Sequence, residues 1–211
     1  MNSIEMVQKR PGMYIGDTSD GTGLHTMLFE IIGNAVNEGL GGHCKFIDVT
    51  INKDGSVTVA DDGRGIPVDT YPEYGKSAAE IILTHLAVCP IQNDKHSCPK
   101  HLRGVGLCVV NALSDTFELQ TVRAGKKYRL RYSLGYSDTT LEVVECSSVL
   151  PKLSSGTTIR FIPSHSFFSN PVFVFSQIVE YLIGLKFLAA GVNVSLSDFR
   201  GEKANRFDIQ L

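Results

Sequence analysis

The sequence predicts an α+β fold: a two-layer sandwich of a mixed, largely antiparallel sheet covered by helices. Three observations carry this. Leu24, Met27, Leu28, Ile31, Ile32 and Ala35 recur at the i, i+3, i+4 spacing of a buried helical stripe. Residues 46–60 alternate apolar and polar side chains about a Lys53-Asp54-Gly55-Ser56 turn, the pattern of a hairpin. Residues 116–162 hold further strand-like runs between glycine turns, so helices and strands are interleaved without the regular alternation of a doubly wound parallel sheet.

In chain order, residues 1–23 read as a Gly-rich, polar lead-in, and Leu24–Leu40 as a helix stopped by Gly39, Gly41 and Gly42. Strands follow at 46–52 and 56–60. Residues 77–87 read as a second helix, 88–103 as an irregular loop, and 105–113 as a third helix. Strands are expected at 116–122, 127–134, 140–146 and 157–162, with turns at Gly125, Gly135 and Gly156. A helix at about 172–188 and a short strand at 192–196 close a single domain over 1–211.

Of the 211 residues, 43% are hydrophobic and 20% charged, which is enough apolar material for a sizeable core. The formal net charge of -2, with no long basic run, argues against direct duplex binding, since neutralising phosphates requires a dense Lys/Arg surface. Five scattered cysteines and the absence of a cleavable signal pattern suit a reducing cytoplasm. The apolar stretch 181–190 is broken by Lys186 and too short to span a bilayer, so no membrane association is expected.

Four constellations carry candidate chemistry. Glu30, Asn34 and Glu38 lie at i, i+4, i+8 and share one side of the first helix. That stripe is either a solvated face or a cleft wall holding a carboxylate beside a neutral oxygen ligand. Asp61-Asp62-Gly63-Arg64-Gly65-Ile66-Pro67 ends a strand; it is either a plain turn or a place where a planar ligand reaches the backbone. Val68 stands where a dinucleotide fingerprint needs its third glycine, and no P-loop occurs. Gly104-Val105-Gly106 opens a helix and frees backbone N–H groups for an anion, and Ser155-Gly156-Thr157-Thr158 enters a strand. Each of the last two is weak alone.

Their order and spacing together are specific. The chain resembles the GHKL, or Bergerat, ATP-binding fold shared by gyrase, the ninety-kilodalton heat-shock chaperone, sensor histidine kinases and MutL. Lys9-Arg10-Pro11-Gly12-Met13-Tyr14-Ile15-Gly16-Asp17 is similar to a signature of bacterial type II topoisomerases. Residues 20–25 (Asp-Gly-Thr-Gly-Leu-His) and 42–44 (Gly-His-Cys) look more like the gyrase B type than its topoisomerase IV counterpart.

The resemblance implies ATP and Mg2+ as ligands. It makes Glu30 the general base that orients and deprotonates the attacking water, and Asn34 the magnesium ligand, whose amide oxygen suits a hard cation. Asp61 would accept from the adenine amino group, with the Thr157 hydroxyl beside it and Gly63, Gly65, Ile66 and Pro67 around the base. Arg64 and Glu38 would form a supporting ion pair. Gly104, Val105 and Gly106 would bind phosphates. Arg123 would stand at the mouth, where aminocoumarin inhibitors bind in the family; without them it is a hairpin-end arginine. The implied activity is ATP hydrolysis by positioning and electrostatics, driving the ATP gate of a gyrase and hence DNA supercoiling. The gyrase A subunit and DNA would be met through the full-length protein. Dimerisation on ATP binding is expected only in longer chains, because the N-terminal arm, transducer and DNA-gate domains are expected to be absent here. The isolated domain is expected to be monomeric and weakly active or inactive.

The chain departs from the family pattern at Gly33 and Asn37, both usually Asp, and at Arg103, usually His. The lid at 88–103 lacks the usual Gly-Gly-Lys, with Val88-Cys89-Pro90 in its place; Lys95 and Lys100 are candidate substitutes for its phosphate-contacting lysine. His85, Cys89, His96, Cys98 and His101 read as incidental rather than as a zinc site, since no paired C-x-x-C is present. The alternatives are the topoisomerase IV counterpart, an ATP-holding module with impaired hydrolysis, and a histidine kinase. The 9–17 signature argues against the last.

Overall fold

The computed structural model describes residues 1–86, 106–144, 155–185 and 191–211. The chain begins with helix α1 (Ser3–Lys9) and the one-turn α2 (Gly12–Ile15), within what the sequence reads only as a Gly-rich, polar lead-in. The reason is a reciprocal cap: the Asn2 side chain accepts the Glu5 N–H at 2.9 Å, and the Glu5 carboxylate accepts the Asn2 N–H at 3.1 Å. Ile4 and Val7 are buried, and Gln8 Nε2 donates to the carbonyls of Ala112 and Leu134, docking the segment.

Helix α3 (Thr22–Leu40) starts two residues earlier than the apolar stripe, where Asp20 Oδ1 accepts the Thr22 N–H at 2.8 Å. Next come β1 (Phe46–Ile51) and β2 (Val57–Asp61), then an unforeseen ribbon of β3 (Thr70–Tyr71) and β4 (Lys76–Ser77). Helices α4 (Ala78–Thr84) and α5 (Leu107–Ala112) flank the undescribed 87–105. After these come β5 (Ser114–Arg123), β6 (Lys126–Ser133), β7 (Tyr136–Ser137), β8 (Glu142–Val144) and β9 (Gly156–Pro163). Helix α6 (Phe175–Leu185), β10 (Asn193–Asp198) and β11 (Asn205–Gln210) complete the order. β11 is a strand the sequence reading lacks.

Nine strands form one sheet in the order β11-β10-β1-β2-β9-β5-β6-β7, with β8 also paired to β6. Only β1 and β10 run parallel among the described pairs. This is the mixed, largely antiparallel sheet the sequence predicts. Alternate residues Ile47, Val49, Val57, Val59, Ile159 and Phe161 are buried with Leu24, Met27, Leu28, Ile31 and Ile32 of α3 in one core. Burying each large aliphatic side chain contributes about 1.5–3 kcal/mol of transfer free energy. That fixes how α3 lies on the sheet and therefore where its polar stripe is aimed. Among the described residues, no helix is long and apolar enough to cross a membrane.

Candidate functional site

The polar stripe of α3 is only partly solvated. Glu30 and Glu38 are half-buried, and only Asn34 between them is exposed. At one end, Glu30 Oε2 accepts the Gly106 N–H at 3.1 Å, linking the stripe to the head of α5. At the other, Glu38 accepts the Arg64 backbone N–H and Nε at 3.1 Å and Nη2 at 2.9 Å. Burial raises the Glu38 carboxyl, but the Arg64 hydrogen bonds and charge outweigh it and hold the group below its usual range. α3 thus spans from the Gly106 backbone to the turn that follows β2.

That turn is built around the two aspartates at the end of β2, which have different tasks. Asp62 Oδ1 accepts the N–H groups of Lys45 and Phe46 at 2.7 and 2.9 Å and so caps the entry to β1. Asp61 shares the helix-covered face with Val57 and Val59, and its Oδ1 accepts the Gly63 N–H at 2.9 Å. Burial pushes its carboxyl up to about 6 against that hydrogen bond, and the charges of Glu38 and Asp62 push the same way. A carboxyl in such a setting is poised to accept a donor from a ligand that replaces its lost water.

Cross-strand register places Thr157 opposite Asp61 on β2 and opposite Thr121 on β5. Asp61, Thr157 and Thr121 therefore form a row across three strands. Thr121 is only 1% exposed. Its hydroxyl donates to the Ile66 and Gly156 carbonyls, each at 3.4 Å. Sequence reasoning missed Thr121, because its role comes from pairing with β9 and leaves no local pattern.

Gly65 has φ +77°, and a Cβ there would lie 2.6 Å from the Val122 carbonyl oxygen and 2.7 Å from Thr121 Oγ1. Only glycine lets this turn press so closely on the sheet. Arg123 Nη1 donates to the Gly65 carbonyl at 2.8 Å and the Arg64 carbonyl at 3.4 Å. It is a hairpin-end arginine, paired with Lys126, and also a clamp on the turn. Gly63 is buried, Ile66 packs partly buried against the core, and Pro67 is half-buried.

The structure thus brings Glu30 to Gly106, Glu38 to Arg64, Arg123 to Gly65, and Asp61 to Gly63 and Thr157. Gly104, Val105, Arg103, Lys95, Lys100, Cys89, His96, Cys98 and His101 lie outside the described residues, as does the lid at 88–103. A surface groove along β1, β2, β10 and β11 is lined by Phe46, Asp48, Ala60, Asp61, Asp62 and Asp208 among others. Among the described residues, no three His, Cys, Asp or Glu side chains are grouped to hold a metal. Any cation here would take most of its ligands from a bound phosphate and water. The exposed amide of Asn34, one turn from Glu30, fits that demand.

The family described as Histidine kinase-, DNA gyrase B-, and HSP90-like ATPase matches residues 19–165. The chain belongs to this family. The matched residues of this ATPase domain include Glu30, Asn34, Asp61, Gly106 and Thr157. Within the family, the DNA gyrase B subunit of Rickettsia felis is 44% identical over 209 residues, 99% of this chain and 25% of that protein. The DNA gyrase B subunit of Caulobacter vibrioides is 44% identical over 207 residues, 95% of this chain and 26% of that protein. The DNA gyrase B subunit of Haloferax volcanii is 40% identical over 208 residues, 98% of this chain and 32% of that protein. The ATPase chain spans about a quarter to a third of the length of these relatives.

Proposed function

We propose that the chain is the nucleotide-operated module of a gyrase-type topoisomerase, binding ATP between α3 and the turn after β2 and hydrolysing it. The observation that carries the reading is the row Asp61–Thr157–Thr121 beside the glycine turn, with Glu30 about two turns of α3 beyond Glu38, at the Gly106 backbone. A buried carboxylate beside hydroxyls recognises an amino-bearing planar base, and the opposite end of the cleft offers a backbone donor and a carboxylate.

In this reading Asp61 accepts from the adenine amino group, Thr157 contributes its hydroxyl, and Gly63, Gly65, Ile66 and Pro67 shape the walls. Glu38 holds Arg64, and Arg123 holds the Gly65 carbonyl, so the turn is rigid before the ligand arrives. Gly104, Val105 and Gly106 donate to the phosphates. Glu30 orients the attacking water and takes its proton as the water oxygen bonds to the γ-phosphorus and the bond to the β–γ bridging oxygen breaks, releasing ADP. Asn34 is the residue that would hold Mg2+, which supplies charge neutralisation at the phosphates when bound. The chain is one structural unit over 1–211 and works in the cytoplasm. In the full-length protein its cycle would be coupled to the gyrase A subunit and to DNA supercoiling, with dimerisation on ATP binding and with aminocoumarins as competitors at Arg123. A second reading, an ATP-holding module with slow hydrolysis, is favoured by Gly33 standing where the family carries a carboxylate.

Calorimetric titration with ATP and Mg2+ tests the reading on the wild type, Asp61→Asn and Glu30→Ala. Binding by the wild type and Glu30→Ala but not by Asp61→Asn is the expected result. Equal binding by Asp61→Asn would remove Asp61 from the pocket.

A further inference from the structure

Helix α6 packs against the Glu30 segment, and Tyr181 is in direct contact with it. The Tyr181 ring stacks on Phe29 with centroids 3.8 Å apart and planes 9° from parallel. Its hydroxyl donates to the Phe29 carbonyl at 3.3 Å. That carbonyl belongs to the peptide unit whose nitrogen is Glu30. In a helix the same carbonyl points towards residue 33, and residue 33 is glycine. A Cβ built at Gly33 meets nothing within 4 Å except the Tyr181 hydroxyl, at 3.8 Å. The missing side chain leaves the hydroxyl its approach to the helix backbone; anything branched at position 33 would fill the gap.

We propose that Tyr181 is a positioning residue for ATP hydrolysis: its hydroxyl, bonded to the peptide that carries Glu30, fixes the direction from which the carboxylate meets the attacking water. This rests on the reading of Glu30 as general base. Burial, with the charge of Glu30 acting in the same direction, pushes the Tyr181 hydroxyl up to about 12, so it stays a proton donor throughout the neutral range. The ring stack provides the packing, and the hydroxyl sets the angle. The two can be separated because Phe keeps the first and deletes the second. On the far side the Glu30 carboxylate bonds to the Gly106 N–H, so displacement of Glu30 is visible at Gly106.

The test compares Tyr181→Phe with wild type in two measurements on the whole chain. In the nucleotide-free protein, the Gly106 amide resonance should move while the Thr157 amide does not. In hydrolysis under single-turnover conditions with Mg-ATP, the rate constant should fall about fivefold, the weight of one lost hydrogen bond, with ATP affinity unchanged. Gly33→Val, which blocks the hydroxyl but leaves Tyr181 in place, should reproduce both effects and guards against a folding defect specific to Tyr181→Phe. A Gly106 resonance that stays put, an unchanged rate constant, or a parallel loss of affinity and rate overturns the proposal. Glu30→Gln in the same assay separates the two levels. If it hydrolyses like wild type, the general-base reading falls; if it is inactive while Tyr181→Phe is not impaired, only the positioning role falls.

Discussion

Asp61 and Thr157 stand opposite each other on the β2–β9 ladder, and the glycine before Thr157 lets the two strands close at that point. A Cβ on Gly156 would sit 2.3 Å from the Asp61 carbonyl oxygen. The carboxyl is thereby held on the helix-covered face, where water reaches it poorly, and it sits at about 6 instead of 3.8. A carboxyl raised in this way stabilises the fold only while protonated. Its contribution is fully present below about pH 3.8 and is lost as pH rises through about 6. At pH 7.5 the buried charge then costs the fold about 2 kcal/mol, once its residual hydration is allowed for.

Asp61→Asn keeps the oxygen that accepts from Gly63 and removes the charge. Urea unfolding should show the variant more stable than wild type by about 2 kcal/mol at pH 7.5 and equal to it near pH 3.5. Adenine nucleotide binding should disappear at pH 7.5. A variant that loses binding without gaining stability at pH 7.5 would show that Asp61 is not strained by burial.

The helix-and-hairpin frame of this fold was legible because its signals are local. The α3 stripe and the β1 alternation each repeat several times within one element, and each repeat reports the same buried face. β11 is different: it is an edge strand with only Phe207 and Ile209 turned partly inward, too few to form a pattern. α1 was hidden because its cap, Asn2 with Glu5, lies in a segment that reads as polar overall. At the candidate site, spacing marked Glu30, Asn34 and Glu38 as a stripe and placed Asp61 and Arg64 in a glycine turn, but only the family resemblance pointed to the pairing of Glu38 with Arg64 that the structure shows. Thr121 and Tyr181 were not legible. Each enters through tertiary contact with an element distant in sequence, and a threonine in a strand or a tyrosine on a helix carries no local mark of that.

The Glu38–Arg64 pair should titrate in the opposite sense from Asp61. Glu38 is held below its ordinary value of 4.5, so its stabilisation is present above about that pH and is lost as pH falls through the lowered value. The two side chains are 26% and 35% exposed, which limits the pair to about 1 kcal/mol. Glu38→Gln should destabilise by about that amount at pH 7, with the difference closing below pH 4. ATP affinity should fall as well, since the Arg64 N–H loses a charged acceptor and the turn loosens.

Gly65→Ala should be far more damaging than its one added methyl suggests. The position has φ +77°, and the new Cβ would fall 2.6 Å from the Val122 carbonyl oxygen, which the β5–β9 ladder holds in place. Backbone strain and overlap together should cost about 3 kcal/mol or more. The turn must move away from Thr121, so thermal unfolding and ATP titration should both be impaired. Normal ATP affinity in Gly65→Ala would mean that the base is not bound against this turn.

Gly33→Ala should act in the other direction. Gly33 lies inside α3, where glycine costs a helix about 0.8–1.0 kcal/mol relative to alanine. The added Cβ would lie 3.8 Å from the Tyr181 hydroxyl, an ordinary contact that leaves the hydrogen bond to Phe29 intact. The variant should therefore be more stable by about 1 kcal/mol in urea unfolding, with unaltered ATP affinity. The contrast with Gly33→Val is informative, because propensity alone ranks valine also above glycine. If Ala stabilises without touching hydrolysis while Val slows it, position 33 is small because α6 must reach the α3 backbone, not because the helix there must bend. Equal slowing by both would instead place the requirement in the glycine backbone itself.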